Sequence, residues 1–155
     1  MDEKITTLTQ KWDITYTHAT GETAGRFFSE LRNQKILGRK CPSCKRVLVP
    51  PRTFCDRCYV ATTDWVEVKK QGAIEAFTSV YRAFKSYPEP PYALAYVKLD
   101  GADTAMLNFV KGIDLSDPKA AADKLKIGTR VNLVFKDAPE GRVTDFWYIL
   151  ANPPR

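Results

Sequence analysis

Histidine occurs once in this chain, as His18, and cysteine is missing everywhere except one short segment. A single imidazole in a polar N-terminal stretch leaves the rest of the chain without a histidine base. The cysteine distribution confines any thiol chemistry to one place. No Gly-rich phosphate loop occurs, and no apolar run approaches the roughly 20 residues that span a bilayer. The opening stretch, MDEKITTLTQKWD, is polar and has no apolar h-region, so the expectation is a cytoplasmic protein with no secretory signal and no membrane span.

What is present is ordinary for a soluble globular domain: 155 residues, 44% hydrophobic and 27% charged. That length suits one domain, or one small domain with an appendage. The net charge of +6 is unevenly placed. Between Arg32 and Cys58 stand eight basic residues (Arg32, Lys35, Arg39, Lys40, Lys45, Arg46, Arg52, Arg57) against one acid, Asp56. The segment therefore carries +7, and the remainder is close to neutral.

The four cysteines lie inside that basic segment as C-x2-C-x10-C-x2-C: Cys41, Cys44, Cys55 and Cys58. Tetrahedral Zn–S bonds of roughly 2.3 Å need sulfurs about 3.7 Å apart, which two C-x2-C turns supply. The spacer KRVLVPPRTF is long enough for a short hairpin that brings the pairs together. In a reducing compartment such clusters are more often metal sites than disulfides. A redox C-x-x-C needs one pair in a βαβ setting, and none is visible. Iron suits a sulfur tetrahedron as zinc does. A tetrathiolate zinc has no open position and is structural. Lys40, Lys45, Arg46 and Arg57 would offset its formal charge.

Along the rest of the chain, residues 1–20 read as an extended arm in which Trp12, Ile14 and Tyr16 alternate. Residues 21–38 read as a helix with Phe27, Phe28 and Leu31 on one face and Gly38 at its end. The zinc ribbon takes residues 39–70. Residues 71–155 contain five strand-like runs (74–84, 92–99, 104–110, 130–136 and 143–150) rich in β-branched and aromatic residues. A second helix signal between the third and fourth runs has Pro118 in its first turn. Five strands with a helix in that place match an OB-fold, with an SH3-like barrel as the other small β-barrel of similar strand count.

Taken in order, these motifs resemble one family. The matching pieces are the Phe27-Phe28-x-x-Leu31 helix, Cys41 and Cys44, Pro50-Pro51-Arg52, Cys55 and Cys58, Trp65, and FTSVYR at 77–82. That series is similar to the zinc-ribbon/OB-fold proteins associated with acyl-CoA enzymes, over residues 20–150. The fold class that the resemblance implies is mainly β: an N-terminal helix, a rubredoxin-like zinc ribbon, then a five-stranded OB barrel. Two positions depart from the family pattern: Lys45, where a glycine often follows the second cysteine, and Asp56, where proline is common. The resemblance implies a non-catalytic subunit that binds a thiolase-like enzyme, or a hydratase or aldolase acting on CoA thioesters, in a hetero-oligomer. One member type partners a thiolase of the benzylsuccinyl-CoA pathway, which makes thiolytic cleavage of a 3-oxoacyl-CoA in aromatic degradation a candidate process.

No catalytic residue is expected in the chain itself. Thiolysis needs a nucleophilic cysteine, a base and an oxyanion site. The ribbon takes all four cysteines, and His18 has none near it in sequence. Glu75, Asp100, Asp103 and Asp145 fall at strand ends or turns, where solvated carboxylates are ordinary. Two binding roles stay open. CoA ends in phosphates, so Arg52, Lys45, Arg46 and Arg39 are candidate contacts to CoA or acyl-CoA, their other role being to offset the metal-thiolate charge. Alternatively, Phe77, Tyr81, Tyr92, Tyr96 and Phe109 would stack the bases of a single-stranded nucleic acid, as OB-folds do. A near-neutral barrel argues against that second role. Docking onto the partner is expected from Trp12, Ile14, Tyr16 and the Phe27/Phe28 helix.

Overall fold

The computed structural model describes residues 15–151. Trp12 and Ile14 of the expected arm fall outside that range, and Tyr16 is exposed.

Helix α1 (Gly21–Arg32) buries Phe27 and Leu31 on one face, as their spacing of four requires. It ends earlier than residue 38. Asn33, Gln34 and Lys35 donate their N–H groups to Glu30 and Leu31, and Gln34 takes the left-handed φ of 56° that closes a helix. Gly38 has a different reason to be glycine. It sits in strand β1 (Leu37–Lys40), where a Cβ would come within 2.7 Å of Val47 and 2.8 Å of Val49. The docking role expected of the α1 aromatics is also corrected. Phe27 is buried in the core and Phe28 packs against it, so this face is already covered from within the chain.

Strand β1 pairs with β2 (Val47–Leu48) and β3 (Asp64–Glu67) in a three-stranded antiparallel sheet of order β2-β1-β3. Strands β4 (Gln71–Val80), β5 (Tyr92–Leu99), β6 (Ala105–Val110), β7 (Arg130–Phe135) and β8 (Phe146–Leu150) close a barrel in the order β4-β5-β6-β8-β7. Helix α2 (Pro118–Lys124) lies between β6 and β7, and the Asp117 carboxylate caps it by accepting from Lys119 and Ala120. Five strands with a helix after the third is the OB arrangement.

Alternation explains the barrel interior. Along β5, Ala93, Ala95, Val97 and Leu99 point inward and are fully buried or nearly so. They meet Ile74, Val131, Leu133, Phe146 and Tyr148 in a core that also takes in Phe27 and Leu31 of α1 and Ile36, Val47 and Val49 of the ribbon. Ribbon and barrel therefore share one core. Hydrogen bonds fasten the seam. Val47 N–H donates to the Asp103 carboxylate at 2.8 Å, and Val47 C=O accepts from Asp103 N–H at 2.8 Å. The Thr104 hydroxyl accepts from Val49 N–H at 2.7 Å and donates to its carbonyl at 2.8 Å.

The β7–β8 loop is held by Asp145, a fully buried carboxylate. Its Oδ2 accepts from the N–H groups of Glu140 (2.7 Å) and Arg142 (2.8 Å), and the Lys136 ammonium faces Oδ1 at 2.9 Å. Burial alone would raise its pKa, but the ammonium and the two N–H groups outweigh that and hold it at about 2. A depressed carboxylate stabilises the fold above its unfolded pKa, and the contribution is lost as pH falls through the range from about 4 to about 2. Thermal unfolding followed from pH 6 to pH 2 should show this loss. Asp145→Asn should lower stability at pH 7 by about 1–3 kcal/mol, because buried donors lose their charged acceptor, and should flatten the acid limb. An unchanged acid limb in that variant would remove Asp145 as its cause.

Candidate metal centre

Two knuckles of the same design form the site. In the first, Cys41 N–H donates to Arg46 C=O (2.8 Å) and Lys45 N–H to Cys41 C=O (3.0 Å). In the second, Cys55 N–H donates to Val60 C=O and Tyr59 N–H to Cys55 C=O, both at 2.9 Å. Lys45 and Tyr59, each four residues after the first cysteine of its pair, are left-handed with φ of 64° and 54°. Such a turn favours glycine, which gives the physical reason for the family habit at the position of Lys45. The two lysine and tyrosine side chains are exposed, so the strained backbone presents them outward.

The four sulfurs all lie within 4.8 Å of one another. Cys44 Sγ and Cys55 Sγ are 3.7 Å apart, the edge of a tetrahedron with Zn–S bonds of roughly 2.3 Å. Cys41 and Cys55 are buried, Cys58 half-buried and Cys44 exposed. N–H groups of Arg57 and Cys58 pull the Cys55 thiol down to about 6. At Cys44 the Arg46 N–H works in the same direction, but burial and the neighbouring sulfurs outweigh it and push that thiol up to about 11. Thiols this close resist ionising together, and a divalent cation relieves that repulsion. The donor set and spacing fit a closed, structural tetrathiolate zinc held by Cys41, Cys44, Cys55 and Cys58.

The basic residues around the ribbon do not converge on one point. Arg39 donates to the Thr62 hydroxyl at 3.1 Å and to the Thr62 carbonyl, and its guanidinium lies 4.9 Å from the Trp65 ring centre. Arg26 approaches the same ring to 4.7 Å. Arg46 is ion-paired with Asp56 at 2.9 Å and mostly covered, and it holds the Asp56 carboxyl below the usual range. Arg52 reaches Asp56 at 3.5 Å but stays half exposed. Lys45 is exposed, its ammonium 2.6 Å from Pro42 C=O. Of the four candidate CoA contacts, Arg39 and Arg46 are committed within the chain, and Arg52 and Lys45 face solvent.

A second surface gathers four of the aromatics considered for base stacking, Phe77, Tyr92, Tyr96 and Phe109, with two leucines the sequence did not point to, Leu94 and Leu107. The outward positions are Tyr92, Leu94, Tyr96 and Lys98 on β5, and Ala105, Leu107 and Phe109 on β6. Register pairs Tyr96 with Leu107 and Leu94 with Phe109. Adjoining hollows of about 260 and 180 Å³ share Leu94 and Leu107. Tyr96 is 48%, Leu107 45% and Val143 50% exposed. The available signal was the unbroken apolar run YALAYV, where a one-sided strand would alternate with polar residues.

Metal loss is the direct check on the centre. The purified chain should hold one Zn²⁺, or one iron, per molecule. Cys55→Ser should abolish near-equimolar metal content and leave residues 39–67 disordered by NMR, because metal-binding energy in such modules is largely folding energy. Chain purified without chelator that carries no metal would contradict the assignment.

Comparison with known proteins agrees with this geometry. The model of the ChsH2 rubredoxin-like zinc ribbon domain matches residues 28–64, and that of the ChsH2 C-terminal OB-fold domain matches residues 65–136. A "Probable enoyl-CoA hydratase alpha subunit" of Thermomonospora curvata is 27% identical over 114 residues, which are 72% of this chain and 33% of that protein. The chain thus spans about a third of the length of that curated relative. Two solved structures share the fold at 22% identity. One is a DUF35-family protein of unknown function from Sulfolobus solfataricus, with a TM-score of 0.63 and coverage of 84% of this chain and 87% of the other. The second is the Ltp2-ChsH2(DUF35) aldolase, with a TM-score of 0.62 and coverage of 86% and 96%. The chain belongs to the acyl-CoA-associated family that joins a ChsH2-type zinc ribbon to a ChsH2-type OB-fold domain.

Proposed function

We propose that this chain is a non-catalytic accessory subunit that binds an acyl-CoA enzyme and helps it bind or position its CoA thioester. The observation that carries the reading is the match to one third of a protein named as a probable enoyl-CoA hydratase subunit. In that relative the ribbon and barrel region is joined to a much longer chain. The aldolase similar in fold bears the same domain name beside a second protein name. The residues here supply support and no chemistry. The cysteines form a closed metal site, and no hydrogen bond among the described residues joins His18 to a thiol.

The finer form of the proposal is a hetero-oligomer with a thiolase-like partner in the cytoplasm, cleaving a 3-oxoacyl-CoA by thiolysis, with aromatic-compound degradation as the setting. It rests on the order of motifs from Phe27 to Arg82. Hydratase and aldolase partners are the neighbouring alternatives within the same class. In each case the partner supplies nucleophile and base, and this chain supplies a rigid platform.

Two measurements decide it. Pull-down of the tagged chain from its native host, followed by mass spectrometry, should recover an acyl-CoA enzyme at near-stoichiometric yield. The isolated chain should show no turnover on 3-oxoacyl-CoA or enoyl-CoA substrates, and the reconstituted pair should turn over one of them at least tenfold faster than the enzyme alone. A partner-free chain that cleaves or hydrates a CoA thioester would overturn the proposal.

A further inference from the structure

The four cysteines of the metal centre are not equally covered. Cys41 and Cys55 are buried and Cys58 is half-buried, but Cys44 is exposed, as are Pro42, Ser43 and Lys45 around it. Cys44 Sγ lies 3.7 Å from Cys55 Sγ. A thiol that holds a metal stays ionised at neutral pH, and ionised thiols within reach of solvent are the ones that oxidants attack. The surroundings are electropositive, which is the setting in which reactive cysteines are found. Lys45 in the first knuckle and Arg57 in the second are both exposed.

A short path joins this cysteine to the barrel. The knuckle that carries Cys44 is closed by the bond from Cys41 N–H to Arg46 C=O, and Val47 of β2 follows at once. Strand β2 is two residues long and pairs only with β1, Lys40 to Val47 and Arg39 to Leu48. Its remaining bonds run to the barrel: Val47 N–H to the Asp103 carboxylate, and the adjoining Val49 N–H to the Thr104 hydroxyl. So short a strand has little pairing of its own, and it keeps its place while the knuckle fixes its start. Opening the centre at Cys44 therefore loosens the seam between ribbon and barrel. Strands β4–β8 close on one another and keep their own pairing.

We propose that Cys44 is the entry point of a peroxide-sensitive switch: oxidation of Cys44 and Cys55 to a disulfide opens the metal centre and frees β2 from the barrel. The Cys44 thiolate attacks one oxygen of hydrogen peroxide; the O–O bond breaks, hydroxide leaves and a sulfenic acid remains. The Cys55 thiolate then attacks that sulfur; the S–O bond breaks, a second hydroxide leaves and the S–S bond forms. Two electrons pass from the two sulfurs to the peroxide, and both hydroxides take protons from solvent to give water. Cys41 and Cys58 keep their thiols, but two ligands do not close a tetrahedron. A dithiol reductant returns Cys44 and Cys55 to thiols through a mixed disulfide, so the change reverses once metal is supplied again. The inference rests on the metal assignment and goes beyond the accessory-subunit reading, on which it does not depend.

The test is titration of the full zinc-loaded chain with hydrogen peroxide, following zinc release with a chromogenic chelator and the thiols by alkylation and peptide mass spectrometry. One zinc should leave for each disulfide formed, the disulfide should join Cys44 to Cys55, and Cys41 and Cys58 should stay open to alkylation. Before any peroxide is added, iodoacetamide should label Cys44 about tenfold or more faster than Cys41 or Cys55, because reactivity follows exposure. On oxidation, hydrogen exchange at the Val47 and Val49 amides should speed up while Ala95 and Val97 in the barrel stay protected. Dithiothreitol with added zinc should restore the slow exchange. Cys44→His keeps four ligands, since imidazole replaces a thiolate in structural zinc sites, and should slow peroxide-driven zinc release about tenfold or more. Should that variant fail to load zinc, the labelling order in the unaltered chain decides. A disulfide that omits Cys44 or Cys55, labelling that begins at a buried cysteine, or zinc release from Cys44→His as fast as from the unaltered chain would overturn the proposal. So would sulfinic acid in place of a disulfide, or zinc loss with exchange at Val47 and Val49 unchanged. Partner recovery by pull-down is independent of these outcomes, so the accessory-subunit reading stands or falls separately.

Discussion

Four sulfurs within 4.8 Å of one another set the terms for the first half of this chain. Four thiolates that close repel strongly, and a cation among them turns that repulsion into the binding energy of a closed site. The segment between the two cysteine pairs has few apolar side chains of its own to bury. Val47, Leu48 and Val49 are buried, while Phe54 stands out into solvent. A loop of that composition does not fold on hydrophobic burial alone. The metal fixes the knuckles, the knuckles set the β1–β2 hairpin, and the hairpin places Val47 and Val49 against the barrel.

From there the ribbon and barrel behave as one body. The Val47–Asp103 and Val49–Thr104 bonds join the short β2 strand to the turn after β5. Asp100, in the same turn, binds Arg130 of β7 through two bonds of 2.8 and 2.6 Å. Lys69 N–H donates to Asp100 C=O across the linker between ribbon and barrel. One turn thus meets the ribbon, the linker and the far strand of the barrel. On the opposite side, Gly141 lets the β7–β8 loop approach α1: a Cβ there would come within 2.6 Å of Phe28 C=O, and φ is 85°.

Much of this was legible in the sequence because the signals were local. The C-x2-C pairs, Pro118 at a helix start and the period-2 runs each depend on neighbours a few residues away, and each was found in its expected element. What was misread depends on distant partners. Gly38 looks like a helix stop, and only the packing of Val47 and Val49 over it shows why no side chain fits. Phe27 looks like part of a docking face until the core closes over it, with Phe28 half-buried beside it. Arg39 and Arg46 look like free cations until Thr62, Trp65 and Asp56 meet them. Tyr92, Tyr96 and Phe109 were named as aromatics able to stack bases, and their joining with Leu94 and Leu107 into one outward face depends on cross-strand register. YALAYV reads as strand interior on both sides, and the barrel's closure decides which side is inside.

Net charge alone pointed to the ribbon as the place for an anionic ligand, and pairing narrows the free candidates there to Arg52 and Lys45. A tetrathiolate zinc carries a formal charge of −2, which offsets part of the positive charge around it. The Asp56 carboxylate is shared by Arg46 and Arg52. With the metal bound, the +7 of residues 32–58 falls only to +5, so the segment stays positive. The barrel is near neutral as a whole: Lys98 pairs with Glu75, Arg130 with Asp100 and Lys136 with Asp145. A phosphate responds to the local field, which falls off within about 10 Å at ordinary ionic strength, and not to the sum over a segment.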